Sequence, residues 1–170
     1  MKVGVISDTH GQMELALSAA REFIFRGVDA VVHCGDVGCE MILIEMAALF
    51  HTLDIPLYVV LGNCDLQNAA VCNFPDAAGV KMMGRFAELN LDGARVGVLH
   101  SDDEHQFAAA LESNQFHYIF FGHSHARRDE TVGTARLINP GSAGRGMHPS
   151  CAVIDLTSGD ASFITIRREF

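Results

Sequence analysis

Basic residues are scarce in this sequence, and their scarcity limits the class of partner. Among 170 residues, 12 are Lys or Arg and 21 are Asp or Glu, which gives a formal net charge of −9 at pH 7. A protein that binds nucleic acid through its phosphate backbone needs a basic surface. The composition therefore argues against nucleic acid as the main partner, although bound divalent cations would neutralise part of this charge.

Cysteine is sparse and irregularly spaced. The five cysteines are an odd number and include no Cys-x-x-Cys pair. This pattern indicates neither a disulfide framework nor a thiolate zinc knuckle, so we expect reduced thiols.

Long apolar runs are missing as well. No run approaches the ~20 residues that a membrane-spanning helix needs. The amino terminus reads as a strand from Lys2 that leads into polar Ser7 and Asp8, which is unlike a signal peptide. The default expectation is a cytoplasmic protein without a membrane partner. With 49% hydrophobic residues and no shift in composition, residues 1–170 are expected to form a single domain.

The first half of the chain alternates between strand and helix patterns. Apolar residues at helical spacing follow Met13, and Gly27 ends that pattern. A second helix over about residues 40–53 is apolar on most sides, which suggests either burial or a subunit interface, and we favour burial. Strands are predicted at residues 2–7, 30–34 and 57–61. Such alternation predicts a parallel sheet with right-handed crossovers.

The second half adds antiparallel strands. After a connection over residues 75–84, two strands flank Asp92-Gly93, a strong hairpin signal. A short helix over about residues 104–113 then leads to a buried strand that ends at Gly122. Three further strands are predicted at residues 135–139, 151–156 and 161–167. The chain is therefore expected to be an α/β protein with mixed strand directions.

Polar side chains that can bind metal follow five predicted strands. A single His-x-His pair such as His123 and His125 would more often be structural, but this pair has counterparts in other loops. Ligands of open α/β sheets gather beyond the carboxyl ends of the strands. We therefore expect seven side chains to converge, namely Asp8, His10, Asp36, Asn63, His100, His123 and His125.

The donor types indicate the chemistry of this cluster. One ion needs about four to six ligands, so seven nitrogen and oxygen donors suit two divalent ions that share a carboxylate. Imidazole, carboxylate and amide oxygen fit Mn²⁺, Fe, Zn²⁺, Ni²⁺ or Co²⁺. Two such ions can deprotonate a bridging water and polarise a phosphoryl group. Phosphoester hydrolysis is the expected reaction.

These residues also match a family. Asp8-Thr9-His10, Gly35-Asp36, Gly62-Asn63-Cys64-Asp65, His100 and Gly122-His123-Ser124-His125 occur in the order found in the calcineurin-like metallophosphoesterase superfamily. Asn139-Pro140-Gly141-Ser142, followed by Arg145-Gly146 and Pro149-Ser150, resembles the small single-domain prokaryotic phosphodiesterase branch. The resemblance covers nearly the whole chain. It implies two mixed β-sheets packed as a sandwich with flanking helices.

The resemblance also implies a role for each ligand. Asp8, His10, Asp36 and His125 would hold one ion, and Asp36, Asn63, His100 and His123 would hold the other. Asp36 would bridge the two ions, with Mn²⁺ as the favoured metal. Asp36, Asn63 and His100 would serve catalysis, in which a metal-bridging hydroxide attacks phosphorus in line.

The sequence departs from the family pattern at two positions. Cys64 stands where many members have a histidine that helps the leaving oxygen, so we expect a preference for substrates with good leaving groups. We expect Cys64 to be a packed small residue and not a nucleophile. Ser101 replaces a glycine after His100, and the following Asp102 and Asp103 are expected to start a helix.

Two further expectations concern partners. Arg127, Arg128 and Arg145 are candidate phosphate contacts for a small phosphoester substrate, with ordinary solvated arginines as the alternative. A retromer subunit that shares the fold is a non-catalytic interaction scaffold, which is the alternative function. The full set of seven family ligands favours an enzyme. A second copy of this chain, in a homo-oligomer, is a further candidate partner.

Overall fold

The computed structural model describes residues 1–76 and 79–168. Its first half follows the predicted alternation of strands and helices. Gly27, which has a φ of 64°, lies just beyond the end of the first helix and supplies the left-handed conformation that such ends favour. The elements are β1 (Lys2–Ile6), α1 (Met13–Phe25), β2 (Ala30–His33), α2 (Glu40–His51) and β3 (Leu57–Val59). The three strands pair in parallel, as predicted.

The second half contains the predicted hairpin and a longer series of strands. Asp92 and Gly93 have φ values of 53° and 82°, the left-handed pair that a two-residue hairpin turn requires. The elements are α3 (Ala69–Cys72), β4 (Val80–Met82), β5 (Phe86–Leu91), β6 (Ala94–Leu99), α4 (Glu104–Glu112), β7 (Tyr118–Phe120), β8 (Arg127–Val132), β9 (Ala135–Pro140), β10 (Ser150–Asp155) and β11 (Ala161–Thr165).

Two mixed sheets pack face to face. One has the strand order β11-β10-β1-β2-β3-β4 and the other β5-β6-β7-β9-β8. Between them lies an apolar layer that includes Val5 of β1 and Phe120 of β7. Helices α1 and α2 cover the outer face of the first sheet, where Phe23 and Phe50 are buried, and α4 covers the second. The predicted sandwich with flanking helices is confirmed.

Two strands were missed by the sequence prediction. β4 lies within the predicted connection over residues 75–84 and pairs in parallel with β3; residues 77 and 78 of that connection lie outside the described part of the chain. β8 is an edge strand that pairs with β9, and all six of its residues are exposed. A three-residue strand and a fully exposed strand both lack the apolar alternation that marks a half-buried strand.

Helix α2 is buried on one side only. Leu43 and Phe50 are almost fully buried, whereas Met41 and Ile44 are 42% and 43% exposed. The expected burial is therefore confirmed for the inner face of α2. The outer face is partly exposed, and a homo-oligomer that would cover it stays a prediction. Among the described residues, no helix combines the length and apolarity that crossing a membrane would require.

Candidate metal centre

Loops from both sheets meet beyond the carboxyl ends of their strands. The backbone N–H of Asp8 donates to the carbonyl of Gly35 at 3.0 Å, which joins the loops after β1 and β2. His100 follows β6 in the other sheet, and its Nδ1 lies 2.8 Å from the carbonyl oxygen of Cys34. The backbone N–H of His123, after β7, donates to Asp8 Oδ2 at 3.1 Å. The predicted convergence of these loops is therefore present.

The backbone of these loops is held in an unusual conformation. Left-handed φ angles cost free energy for residues other than glycine and concentrate at functional sites. Here they occur at Asp8 (54°), His10 (45°), Asp36 (54°), Ser101 (75°), His123 (67°) and His125 (56°). Five of these six residues are candidate ligands, so the backbone strain occurs at the residues that would hold metal.

Asp8 lies at the middle of the cluster. Its Oδ1 atom is 3.2 Å from Nε2 of His125 and 3.8 Å from Nε2 of both His10 and His100. The Asp8 side chain is completely buried. A buried carboxylate that faces three imidazole nitrogens supplies the oxygen and nitrogen donors that a divalent cation uses.

Asp36 lies between the imidazoles of different loops. Its Oδ2 atom is 3.8 Å from Nε2 of His10 and 3.4 Å from Nε2 of His100. Burial alone would raise the pKa of Asp36, but the neighbouring His100 imidazole and the backbone N–H of Cys64, at 2.9 Å, hold this pKa well below its ordinary value. Asp36 is therefore ionised, as a metal ligand must be.

Two buried atoms of the cluster have no hydrogen-bond partner among the described residues. They are Asp8 Oδ1 and His100 Nε2, which lie 3.8 Å apart. Buried polar atoms in folded proteins nearly always have a partner. A divalent cation would satisfy both atoms, and the nitrogen and oxygen donors around them suit such an ion. The residues present therefore fit the predicted metal.

Three overlapping groups of side chains have a geometry that can hold an ion. In each group the ligand atoms lie within 4.8 Å of one another. The groups are Asp8, His10 and His125; Asp8, Asp36 and His100; and His10, Asp36 and Cys64. Because Asp8, His10 and Asp36 each belong to two groups, the three groups form one continuous cluster of possible ligands.

The remaining candidate ligands are more exposed. The ring of His123 meets that of His100 with 5.2 Å between centroids and 73° between planes, the same values as for His10 and His125. Asn63 is exposed, and its Nδ2 lies 3.6 Å from Cys64 Sγ. The Asn63 side chain thus contacts Cys64, whose thiol belongs to one of the three groups.

Cys64 is exposed, so the expectation of a packed residue is wrong. The backbone N–H of Cys64 donates a hydrogen bond to Asp36 Oδ1, which keeps Cys64 next to the ligand cluster. Partial desolvation and the Asp36 carboxylate raise the pKa of the thiol to about 11. The thiol is therefore protonated at neutral pH, which agrees with the expectation that it is not a nucleophile.

Asp65 organises the centre, although the sequence analysis gave it no role. Its buried carboxylate accepts hydrogen bonds from the backbone N–H groups of Val37, Gly38 and Gly62 at 3.1, 3.0 and 3.0 Å. These groups flank Asp36 and Asn63, so one carboxylate ties together the loops after β2 and β3. The only signal in the sequence is its position two residues after Asn63.

Removing the Asp65 carboxylate is expected to destabilise the protein strongly. The substitution Asp65→Ala leaves three backbone donors without their partner, two of them buried, which should lower the free energy of unfolding by about 3–5 kcal/mol. Asp103→Ala is the matched control, because Asp103 is exposed and accepts one hydrogen bond, from the backbone N–H of Gln106. That loss should cost about 1 kcal/mol. Urea unfolding measures both, and equal losses would contradict the role of Asp65.

Asn139 and Ser142 each donate hydrogen bonds to a loop that carries candidate ligands. Asn139 Nδ2 donates to the carbonyl of Gly122 at 2.8 Å and to Ser124 Oγ at 3.1 Å. Ser142 Oγ donates to the carbonyl of Asp8 at 2.9 Å. The Asn139-Pro140-Gly141-Ser142 motif therefore fixes the backbone on both sides of the centre.

The three candidate arginines have different surroundings. Arg127 donates to Thr165 Oγ1 at 2.8 Å, and Arg128 pairs with Glu130, so both side chains are engaged elsewhere. Arg145 is exposed, and its guanidinium acts together with burial to lower the pKa of His10. Arg145 is therefore the candidate that contributes positive charge to the cluster.

The other polar residues near the centre are structural. Asp103 caps α4, as expected, and Asp102 pairs with Arg85 at 2.6 Å. His33 is buried and lies 3.0 Å from Thr9 Oγ1. Burial lowers the pKa of His33 to about 4, so this imidazole is neutral.

Fold and site together define a class of protein. A sandwich of two mixed sheets, with buried carboxylates and imidazoles converging beyond the strand ends, is the arrangement of a metal-dependent phosphoesterase. Residues 1–159 match the model of the calcineurin-like phosphoesterase superfamily domain. The chain belongs to this superfamily, which confirms the family and the enzyme class predicted from its motifs.

Individual proteins are similar to this chain in sequence or in fold. Phosphodiesterase MJ0936 of Methanocaldococcus jannaschii is 26% identical over 142 residues, which are 83% of this chain and 83% of the relative. The structure of an archaeal phosphodiesterase superposes with a TM-score of 0.85 and 24% identity, covering 97% of this chain and 99% of the other. Vps29 of Entamoeba histolytica, solved as a complex with Zn²⁺, has a TM-score of 0.60 and 17% identity over 96% and 97% of the two chains.

Proposed function

We propose that this chain is a dinuclear metal-dependent phosphodiesterase, in which residues 1–170 act as one domain in the cytoplasm. The observation that carries the proposal is the pair of buried, unpartnered atoms, Asp8 Oδ1 and His100 Nε2, inside a ring of carboxylates and imidazoles. Free thiols at all five cysteines suit a reducing compartment. The name of the relative MJ0936 supports a diester as the substrate.

The proposed ligands fall into two sets that share Asp36. The first is Asp8, His10, Asp36 and His125, and the second is Asp36, Asn63, His100 and His123. The position of Asp36 Oδ2, 3.8 Å from His10 Nε2 and 3.4 Å from His100 Nε2, supports a bridging role. We favour Mn²⁺, with Fe, Zn²⁺, Ni²⁺ and Co²⁺ as alternatives that fit the same donors.

The chain's own residues prepare the site for attack on phosphorus. The chemistry that two bound ions supply is a lowered pKa for water and neutralisation of charge on the phosphoryl oxygens. Asp8 and Asp36 provide the negative charge that retains the ions. Asn63 adds a neutral amide oxygen, which leaves the second set less negative. Arg145 is the side chain that we expect to contact a phosphoryl oxygen, because guanidinium and phosphate match in geometry.

The proposed partner is a small phosphoester. Nucleic acid is not proposed, because a net charge of −9 repels a phosphate backbone. A non-catalytic scaffold is the second candidate, and the likeness to Vps29 supports it at the level of the fold. We favour the enzyme because none of the seven proposed ligand positions is altered.

Restoration of activity by metal tests the proposal. Protein treated with a chelator should not hydrolyse bis(p-nitrophenyl) phosphate, and added Mn²⁺ should restore release of p-nitrophenol. Protein that remains inactive with bound metal would favour the scaffold, and binding partners would then be sought.

Replacement of Cys64 tests whether its thiol acts as a nucleophile. The thiol is exposed and protonated, and a serine hydroxyl can take its place beside Asp36, so Cys64→Ser should leave kcat for bis(p-nitrophenyl) phosphate within about threefold. Because p-nitrophenolate leaves without a proton, the missing imidazole costs little with this substrate. Cys64→His should instead speed hydrolysis of alkyl esters, which need a proton. Loss of activity in Cys64→Ser with metal still bound would contradict this account.

A further inference from the structure

A cleft lies beside the metal centre, next to the carboxyl end of the described chain. We call it the Arg167–Arg168 cleft. Its cavity volume is about 580 Å³, within the range of small-molecule sites. It is lined by Leu15, Gly144, Gly146, Pro149, Ile166, Arg167 and Arg168. None of these residues belongs to the proposed ligand set, so the cleft is a separate space.

The cleft and the metal centre share one loop. The backbone N–H of Gly144, on the cleft wall, donates to the carbonyl of Asp8 at 2.9 Å. A Cβ atom at Gly144 would overlap the Thr9 carbonyl, so the two loops are in direct contact. From the other side, Arg168 Nη2 donates to Gln12 Oε1 at 3.0 Å. Residues 8–12 therefore lie between the metal centre and the cleft and contact residues of both.

The charge of the cleft is opposite to that of the protein. The chain has 12 basic residues and a net charge of −9, yet Arg167 and Arg168 both line this space and Arg145 lies in the loop at its edge. In the described part of the chain, Arg167 forms no hydrogen bond or ion pair that would occupy its guanidinium. Its five N–H donors are available to an anion.

The rest of the lining is apolar. Leu15 and Ile166 are almost fully buried, and Pro149 joins them in the wall. Guanidinium groups beside an apolar wall suit an organic group that carries a phosphate, since the wall takes the organic part and the arginines take the oxygens. A bare inorganic anion would leave the wall unused.

We propose that the Arg167–Arg168 cleft is a second phosphate subsite, which binds the terminal phosphate and attached organic group of a substrate whose scissile diester lies at the metal centre. The inference rests on the proposed function and narrows its substrate class. The substrate is then a small phosphodiester with a further phosphomonoester, such as a nucleoside that carries a phosphodiester on its 5′-oxygen and a phosphate on its 3′-oxygen.

A matched pair of chromogenic substrates tests the subsite. Thymidine 5′-(p-nitrophenyl phosphate) and its 3′-phosphorylated form undergo the same reaction, in which water supplies the new oxygen on phosphorus and p-nitrophenolate leaves. The 3′-phosphate should raise kcat/KM about tenfold or more, as expected for charge-assisted hydrogen bonds. The Arg167→Ala/Arg168→Ala variant should lose this preference and keep its rate with bis(p-nitrophenyl) phosphate.

The control removes equal charge elsewhere. Arg26 pairs with Glu22 and Arg95 with Glu88, both away from the cleft, so Arg26→Ala/Arg95→Ala should keep the preference. Equal rates with the two substrates in the unmodified protein, or equal losses in the two double variants, would overturn the subsite.

Product binding separates this inference from the proposed function. In the same Mn²⁺ buffer, thymidine 3′,5′-bisphosphate should bind about tenfold more tightly than thymidine 5′-monophosphate by calorimetry, and the cleft variant should lose the difference. If no substrate is hydrolysed, the proposed function fails while this comparison still decides the subsite. Equal affinity for the two nucleotides would overturn it.

Discussion

Replacement of Asp36 by asparagine is expected to abolish phosphodiester hydrolysis while the fold is retained. The change removes the charge from a carboxylate whose Oδ2 lies within 3.8 Å of both His10 Nε2 and His100 Nε2. Asparagine can still accept the backbone hydrogen bond from Cys64. We expect kcat/KM for bis(p-nitrophenyl) phosphate to fall by roughly 10³-fold or more, which is about 4 kcal/mol of transition-state stabilisation. Metal content should fall as well.

Asp129→Asn is the matched control for this substitution. Asp129 is an exposed carboxylate on β8, and its described side-chain hydrogen bonds come from Arg136, at 2.7 and 2.8 Å. The same chemical change there should leave kcat/KM and metal content unaltered. If Asp36→Asn also retained activity within tenfold and bound the same amount of metal, Asp36 would not be the shared ligand.

A methyl group added at Gly62 should reduce metal affinity and kcat/KM strongly, with an effect second only to that of Asp36→Asn. A Cβ atom at this position would overlap both the backbone nitrogen and Oδ1 of Asp36. The φ angle of Gly62 is not left-handed, so the cost arises from this overlap and not from the backbone. Asp36 must move, and we expect Gly62→Ala to lower both metal affinity and kcat/KM by about 100-fold or more.

Gly97→Ala provides the control for an added methyl group. Gly97 lies in β6, and its Cβ would approach the Phe116 ring no closer than 3.4 Å. Metal affinity by calorimetry and kcat/KM should both stay near the original values in this variant. Similar behaviour of the two alanine variants would show that Gly62 does not position Asp36.

Much of this architecture follows from simple sequence patterns. Valine-rich segments separated by amphipathic helices predict parallel strands, and the Asp92-Gly93 turn predicts the hairpin. The convergence of candidate ligands follows because parallel strands place their carboxyl ends at one edge. The strands that escaped prediction, β4 and β8, owe their formation to pairing with β3 and β9 and not to their own patterns.

The supporting residues of the centre are harder to predict. Asp65 acts through three backbone N–H groups, and no residue type in the sequence marks which amides will face a carboxylate. The exposure of Cys64 depends on how the loop after β3 turns around Asp36. Arg127 and Arg128 follow the ligand loop in sequence, but β8 carries them to other partners, Thr165 and Glu130.

The most direct test of a dinuclear centre is a metal titration that follows occupancy and turnover together. Chelator-treated protein would be titrated with Mn²⁺ while bound metal and hydrolysis of bis(p-nitrophenyl) phosphate are measured on the same samples. We predict that activity continues to rise until two ions are bound per chain. Full activity with one bound ion, or two bound ions without hydrolysis, would contradict it.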